Sequence, residues 1–328
     1  MKNRNVGIIG TGSFLPAKTI TNKDLETLVD TTDEWIRSRT GIEERRMVEE
    51  SVAASDLGVE AAKKALEDAN ISAEEIDLII VATLTPDYTF PSTACIVQEK
   101  LGAKKAAAFD LSAACSGFIY GLATGAQFIA TGLYKYVLVI GSETISKILN
   151  WEDRGTCVLF GDGAGACVLG PVEDGKGFQS FVLGSDGSGA ELLSQPSSGS
   201  KLPITSETIA NKENTLKMVG SEVFKFAVRV MGQVSEEAVE KAGLNKEDID
   251  FFVPHQANIR IIEPAMKRLG LGMDKAYINL HKYGNMSSAS IPVALDEALQ
   301  SGSIKKGDNV LLVGFGAGLT WGATVVKM

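Results

Sequence analysis

Histidine is nearly absent: the 328 residues include two, His255 and His281. Cysteine is scarce too, and Cys95, Cys115, Cys157 and Cys167 contain no CxxC pair. A zinc site or disulfide framework is therefore a poor reading, and no metal is expected. No apolar run approaches the ~18 to 20 residues of a membrane span, and the start, MKNRNVGIIGTG, enters a strand-like segment without a signal-peptide pattern. The sequence thus reads as cytoplasmic, with no membrane partner. Positive charge is in deficit, 32 Lys and Arg against 41 Asp and Glu, for a net charge of −9. Such a chain has no general attraction for nucleic acid or anionic lipid, although it can carry a local basic patch.

What is present has the composition of a folded, soluble protein. Hydrophobic residues are 45% and charged residues 22%, which excludes disorder, coiled coil and collagen-like repeats. The length is about twice the usual span of one domain, so two domains or one large α/β unit are expected. Strand-like runs (VGIIG, IDLIIVAT, AAAFDL, YVLVIGS, CVLG, IDFFVPH, VLLVGFG, ATVVKM) alternate with helical stretches at 55–69, 116–131, 222–242 and 291–300. That is an α/β pattern. Laid on itself at an offset of 173, the chain matches in two blocks: ALEDANISAEEID (65–77) faces AVEKAGLNKEDID (238–250), and VLVIG (137–141) faces VLLVG (310–314). Two matches in one register argue for internal duplication, with halves 1–172 and 173–328 meeting in GPVEDGKG. Residues 142–160 have no counterpart in the second half. Such an insertion reads as a substrate-binding loop or as plain surface elaboration.

Cys115 follows the strand-like AAAFDL run, at or near the start of an apolar, small-residue helix. At a helix N-terminus the free N–H groups favour the thiolate, so a lowered thiol pKa is expected. An inert core cysteine is the competing reading, and Cys95, Cys157 and Cys167 take it. His255 follows the strand-like IDFFV run, facing Ala82 at the offset, where α/β sheets place ligands. His281 has no such position. Asn285 precedes a helix, and the offset sets Cys115 opposite Ser288, so the Cys and Asn turns are pseudo-equivalent. A helix cap is the alternative for the Asn turn. Gly10-Thr11-Gly12 and GDGAGACVLG (161–170) open no phosphate-cradling helix, and nucleotide fingerprints fail at both.

The ordered motifs VDTTDEWIRSRTGIEERR (29–46), FPSTAC (90–95), DLSAACSGF (110–118), DRGTCVLFGDGAGA (153–166), VPHQAN (253–258), YGNMSSASIP (283–292) and GFGAGLTWG (314–322) span essentially the whole chain. The set resembles the β-ketoacyl-acyl-carrier-protein synthase III family of the thiolase-like superfamily, the initiating condensing enzymes of type II fatty acid synthesis. The resemblance implies an α/β fold of two βαβαβαββ halves in a five-layered αβαβα arrangement, and a homodimer. It implies no cofactor: acyl-CoA is a substrate, as is malonyl-acyl-carrier protein. Cys115 would be the acyl acceptor, His255 and Asn285 the donors to the enolate of decarboxylated malonate, and the backbone of Cys115, Gly316 and Ala317 the oxyanion hole.

Binding positions follow from the same resemblance. Trp35 and Arg154 would sandwich the adenine of CoA, Arg39 would contact phosphate, and Thr31 lies in the same segment. Thr31 to Glu34 also reads as a helix cap with Trp35 merely packed. Gly155, Gly220, Phe224 and Asn258 would line the pantetheine tunnel, and Phe90 would close the acyl pocket of the partner subunit. Lys225, Arg229, Arg260, Lys267 and Arg268 form a basic patch for the acidic carrier protein, or simply a solvated face. Met286 stands where the family more often has Thr. No cysteine follows Cys167, which argues against a thiolase. A hydroxymethylglutaryl-CoA synthase would need a glutamate base, chalcone-type synthases are longer, and a non-catalytic binding module would have little reason to keep Cys, His and Asn together. A paralogue condensing other acyl groups and a thioester hydrolase remain as alternatives.

Overall fold

The computed structural model describes residues 5–328. Strands β1 (Val6–Phe14), β2 (Leu78–Ala82), β3 (Ala107–Leu111), β4 (Val137–Thr144) and β5 (Asp162–Pro171) form one sheet in the order β1-β5-β4-β2-β3. Strands β6 (Gly177–Ser185), β7 (Phe251–Pro254), β8 (Asn309–Gly316) and β9 (Thr320–Lys327) form a second, ordered β7-β8-β9-β6. The pairing is the same in both: β2 with β4 and β7 with β8 are parallel, and the other strands of the shared pattern run antiparallel. Where the first sheet adds β3, the second has one parallel bridge, Phe252 to Ala276. The central strands β2 and β4 are buried throughout, and apolar but for Ser142, Glu143 and Thr144 at the end of β4, as suits strands covered on both faces.

Six helices supply that cover: α1 (Ala54–Ala69), α2 (Thr93–Leu101), α3 (Gly117–Ala130), α4 (Gly220–Lys241), α5 (Ile259–Leu269) and α6 (Ser290–Gln300). Helix α1 packs on β1, β4 and β5, whereas α4 packs on β6, β8 and β9. Between the sheets lie α3 and α6, each touching both. The layers therefore run α1, first sheet, α3 with α6, second sheet, α4. The middle layer joins Ile80 and Val139 of the first sheet to Val253 and Leu312 of the second through Phe118, Ile119 and Ile291, all fully buried. Burial of each such side chain contributes about 2 kcal/mol.

The strand-to-helix turns before α3 and α6 are twins. Ala114 holds φ +50° just before Cys115, and Ser287 holds φ +48° just before Ser288, positions separated by the same 173. Each twin leans on the opposite sheet. A Cβ on Gly141 of β4 would strike the Ser288 carbonyl oxygen, and one on Gly314 of β8 would lie 3.2 Å from the Cys115 carbonyl oxygen. The connection from β4 to β5 takes residues 145–161, against 317–319 from β8 to β9, so an insertion is present but begins later than the sequence suggested: Ser142, Glu143 and Thr144 still belong to β4.

Candidate active site

The Cys115 turn, the end of β7, the end of β8 and the Asn285 turn converge on one pocket of about 570 Å³, mouth included. Cys115 is 4% exposed, on a single 3₁₀ turn ahead of α3. Its thiol is not lowered as the sequence suggested. Burial pushes it up to about 12 and outweighs the Ser287 hydroxyl, which favours the thiolate, while Glu143 opposes it further. A helix N-terminus lowers a thiol only where the anion keeps some solvation, and the regular helix here starts two residues later, at Gly117.

Gly316, the last residue of β8, closes over the same turn: a Cβ there would lie 2.5 Å from the Cys115 backbone nitrogen. Only a glycine brings the two backbones this close. Ala317, expected beside it, does not line the pocket, and its carbonyl accepts a bond from the Thr320 hydroxyl at 2.9 Å.

His255 directly follows β7, and its N–H donates to Val313 O at 2.7 Å. The ring stands edge-on to Phe315, with centroids 5.3 Å apart, and neither ring nitrogen has a hydrogen-bond partner among the described residues. Burial alone holds its pKa down to about 3, so the imidazole is neutral at physiological pH. A linkage follows. Below the ordinary histidine value near 6.5, the unfolded chain binds a proton that the folded chain refuses until about pH 3. Stability therefore falls on acidification through that window, by about 1 kcal/mol per pH unit. Urea unfolding of wild type and His255→Asn at neutral and mildly acidic pH should show the variant losing this part of the slope.

Asn285 is held by its backbone, which donates to Leu159 O at 2.8 Å and accepts from Gly161 N at 3.0 Å. Its carboxamide is oriented by Ser287 N, which donates to Oδ1 at 2.8 Å and leaves Nδ2 for the pocket. Behind this turn lies Arg45, fully buried, whose guanidinium donates to Val158 O at 2.7 Å, Asn22 Oδ1 at 2.9 Å and Ile20 O at 3.2 Å. Desolvation brings even this cation down to about 10. It fixes the loop segment, 158–161, on which the Asn285 backbone rests.

Gly220, Phe224 and Asn258 line the pocket, as expected of tunnel residues, together with Leu159, Val223 and Ile261, which sequence reasoning missed. Thr31, Trp35, Arg39, Arg154 and Gly155 lie outside it, linked through Asn258, whose Nδ2 donates to Arg39 O at 2.9 Å. Thr32 caps the helix Asp33–Thr40 by accepting from Trp35 N. The Trp35 ring meets two guanidinium carbons, of Arg154 at 5.2 Å and Arg39 at 5.3 Å. Arg154 thus stands where a base would stack on the indole, anchored by its bond to Asp30 O at 2.8 Å. Trp35→Ala is expected to raise KM for acyl-CoA about tenfold with kcat little changed, the signature of lost uniform binding, read from initial rates.

Phe90 is 84% exposed and absent from its own chain's pocket. Of the basic patch, Arg260 stacks on Phe224 at 5.5 Å beside the pocket, Lys225 pairs with Glu222 and Arg268 with Glu236. Arg229 and Lys267 join no such pair among the described residues. Cys157 and Cys167 are buried as expected, but Cys95 is exposed: it sits at the open edge of the first sheet, its thiol 3.8 Å from Ala108 O of β3. Among the described residues, no group of three or more His, Cys, Asp or Glu side chains is placed to hold a metal ion, and no helix is long and apolar enough to cross a membrane.

The duplicated five-layered architecture, with Cys, His and Asn facing one pocket, defines a condensing enzyme of the thiolase fold. Residues 109–187 match the family model described as 3-oxoacyl-[acyl-carrier-protein] synthase III, and residues 239–328 match the model of its C-terminal part. The chain is 62% identical over 323 residues to the β-ketoacyl-[acyl-carrier-protein] synthase III of Desulfitobacterium hafniense, covering 98% of each. Among solved structures it resembles the same enzyme from Thermus thermophilus (50% identity, 98% of this chain and 99% of that one, TM-score 0.92). It also resembles the priming β-ketosynthase of the R1128 polyketide pathway (37%, 99% and 97%, TM-score 0.93). The chain belongs to the β-ketoacyl-[acyl-carrier-protein] synthase III family, and is an acyltransferase-type condensing enzyme.

Proposed function

We propose that this chain condenses an acyl-CoA primer with malonyl-acyl-carrier protein, giving a 3-ketoacyl-carrier protein and initiating fatty acid synthesis. The observation that carries the roles is the convergence of Cys115, His255 and Asn285 on one pocket. The Cys115 sulfur attacks the thioester carbonyl, CoA leaves, and the acyl group remains on the enzyme. Malonyl-carrier protein then enters and loses CO₂. The enolate oxygen takes hydrogen bonds from the neutral His255 and from Asn285 Nδ2. The carbanion attacks the acyl-Cys carbonyl, whose oxyanion is met by backbone N–H groups at Cys115 and around Gly316 and Ala317.

The greater identity to the fatty-acid enzymes than to the polyketide priming synthase favours this role over a secondary-metabolic paralogue. On this reading Trp35, Arg39 and Arg154 hold the CoA nucleotide. Arg260 and its neighbours Lys225, Lys267 and Arg268 receive the carrier protein. No cofactor is used, and the work is done in the cytoplasm. A homodimer fits the open edge strand β3 and the exposed Tyr88 and Phe90, which a second copy would cover. The division into halves 1–172 and 173–328 is supported by the matched strand orders and the twin turns.

Intact-protein mass after incubation with a panel of acyl-CoAs, then malonyl-carrier protein, tests the assignment. One acyl mass is expected on wild type and none on Cys115→Ser, with discharge as ketoacyl product. A label lost to water equally fast without malonate would make the protein a hydrolase.

A further inference from the structure

Gln256 follows His255 directly and has no part in the steps above. It is fully buried and does not line the pocket, so substrate does not reach it. Its carboxamide nevertheless has all four hydrogen-bonding positions filled, each by backbone. Nε2 donates to Pro254 O at 2.9 Å and to Tyr277 O at 3.0 Å, while Oε1 accepts from Asn279 N at 3.1 Å and from Leu280 N at 3.2 Å. One side chain thus ties the end of β7, where His255 sits, to the segment that leads into Asn285.

In the first half, residues 107–111 form β3 and pair with β2 along its whole length. Their counterparts at the offset of 173, residues 280–284, leave the sheet: Leu280–Tyr283 is a helical turn, closed by Gly284 N, which donates to Leu280 O at 2.8 Å. Among the described residues, β7 keeps on that edge the single Phe252 to Ala276 bridge, with Tyr277 N donating to Phe252 O at 3.0 Å. The counterpart of Gln256 is Thr83, too short to span such a gap and beside a strand that leaves none. Gln256 therefore stands in for the missing strand pairing. The turn is also pinned to α6, because Asn279 Nδ2 and Tyr283 OH donate to the two oxygens of Glu297 at 2.8 and 2.6 Å. It moves as a unit with α6, and Gln256 sets it in register with β7.

We propose that Gln256 is a positioning residue for decarboxylation: it holds His255 and Asn285 in register so that both donors meet one enolate oxygen. The inference rests on the reading that these two residues stabilise that enolate. They come from segments of different character, a strand end and a helical turn, and the four bonds of Gln256 are what join the two. Acylation makes a different demand. It depends on the Cys115 turn and on Gly316, to which the Gln256 side chain makes no hydrogen bond. Loss of Gln256 therefore separates the two half-reactions, whereas a carboxamide that only satisfied loop backbone would lower stability and leave them in proportion.

The test compares wild type with Gln256→Met, which keeps the bulk and removes all four bonds, and with Gln256→Glu, which keeps the two accepted bonds and loses at least one donated bond. Loading of Cys115 from acetyl-CoA and its discharge by malonyl-carrier protein are timed separately by rapid-quench mass. In Gln256→Met, loading is expected within about twofold of wild type, whereas discharge and CO₂ release slow by about 10- to 10²-fold with KM for malonyl-carrier protein little changed. Gln256→Glu should fall between the two, and it carries the test should Gln256→Met fail to fold. In a His255→Ala background, Gln256→Met should slow discharge by about twofold at most, because the donor that it registers is already gone. Loading and discharge reduced by one common factor would overturn the inference, as would a full, multiplied loss in the double variant. A wild type that gains no acyl mass, or a His255→Ala variant that discharges as fast as wild type, would sink the reading beneath it, and both results are obtained without any change at Gln256.

Discussion

Replacing His255 with alanine is expected to stall the protein as an acyl-enzyme: the acyl mass forms on Cys115, and malonyl-carrier protein discharges it about 10²- to 10³-fold more slowly. The cause is charge. Burial holds His255 at a pKa of about 3, so it meets the developing enolate as a neutral donor, already desolvated, and no reorganisation is needed when charge appears. Asn285→Asp should show a comparable loss for a complementary reason. The carboxylate oxygen can still accept from Ser287 N, as Oδ1 does at 2.8 Å, but the donor is gone and a negative charge faces the enolate. Decay of the acyl-enzyme mass and release of CO₂, followed together, measure the effect. Unchanged discharge in His255→Ala would remove the residue from the decarboxylation step.

Gly316→Ala is expected to act earlier, on acylation, with a loss of about 10²-fold from a misplaced oxyanion donor. The added Cβ would lie 2.5 Å from Cys115 N and 2.9 Å from Ala114 Cβ, neither of which is the end of a flexible chain. The turn must shift, and with it the Cys115 backbone N–H, one of the donors the tetrahedral intermediate depends on. Gly187→Ala, where an added Cβ meets nothing within 4 Å, is the matched control. Comparable acylation rates in the two variants would place the oxyanion elsewhere.

Much of this was legible in the residues. The offset of 173 located the paired strands, predicted an insertion after β4, and set the Cys115 and Asn285 turns as counterparts. Periodicity also placed α1, α3, α4 and α6 to within two residues. Electrostatics was not legible. The raised thiol of Cys115 and the lowered His255 follow from how completely the two sheets bury the pocket, a property of packing between segments far apart in the chain. Cys95 was misjudged because a short amphipathic helix leaves the exposed side undecided until its partner sheet is known. The closed stack of Arg154 on Trp35 depends on a contact to Asp30, more than 100 residues away. Glu143 was visible only as part of an unmatched excursion, although the same offset already set it opposite Gly316.

The crossed contacts of Gly141 with the Ser288 turn and of Gly314 with the Cys115 turn have a consequence for how the molecule comes apart. Each turn is braced by a strand of the other sheet, so neither can complete its geometry until both sheets have formed and docked. Disorder in one removes the brace from its twin. The pocket therefore opens as a single cooperative event, and a lesion at Ser288 reaches Cys115 as loss of hydrogen-exchange protection there, with no residue changed in its own sheet.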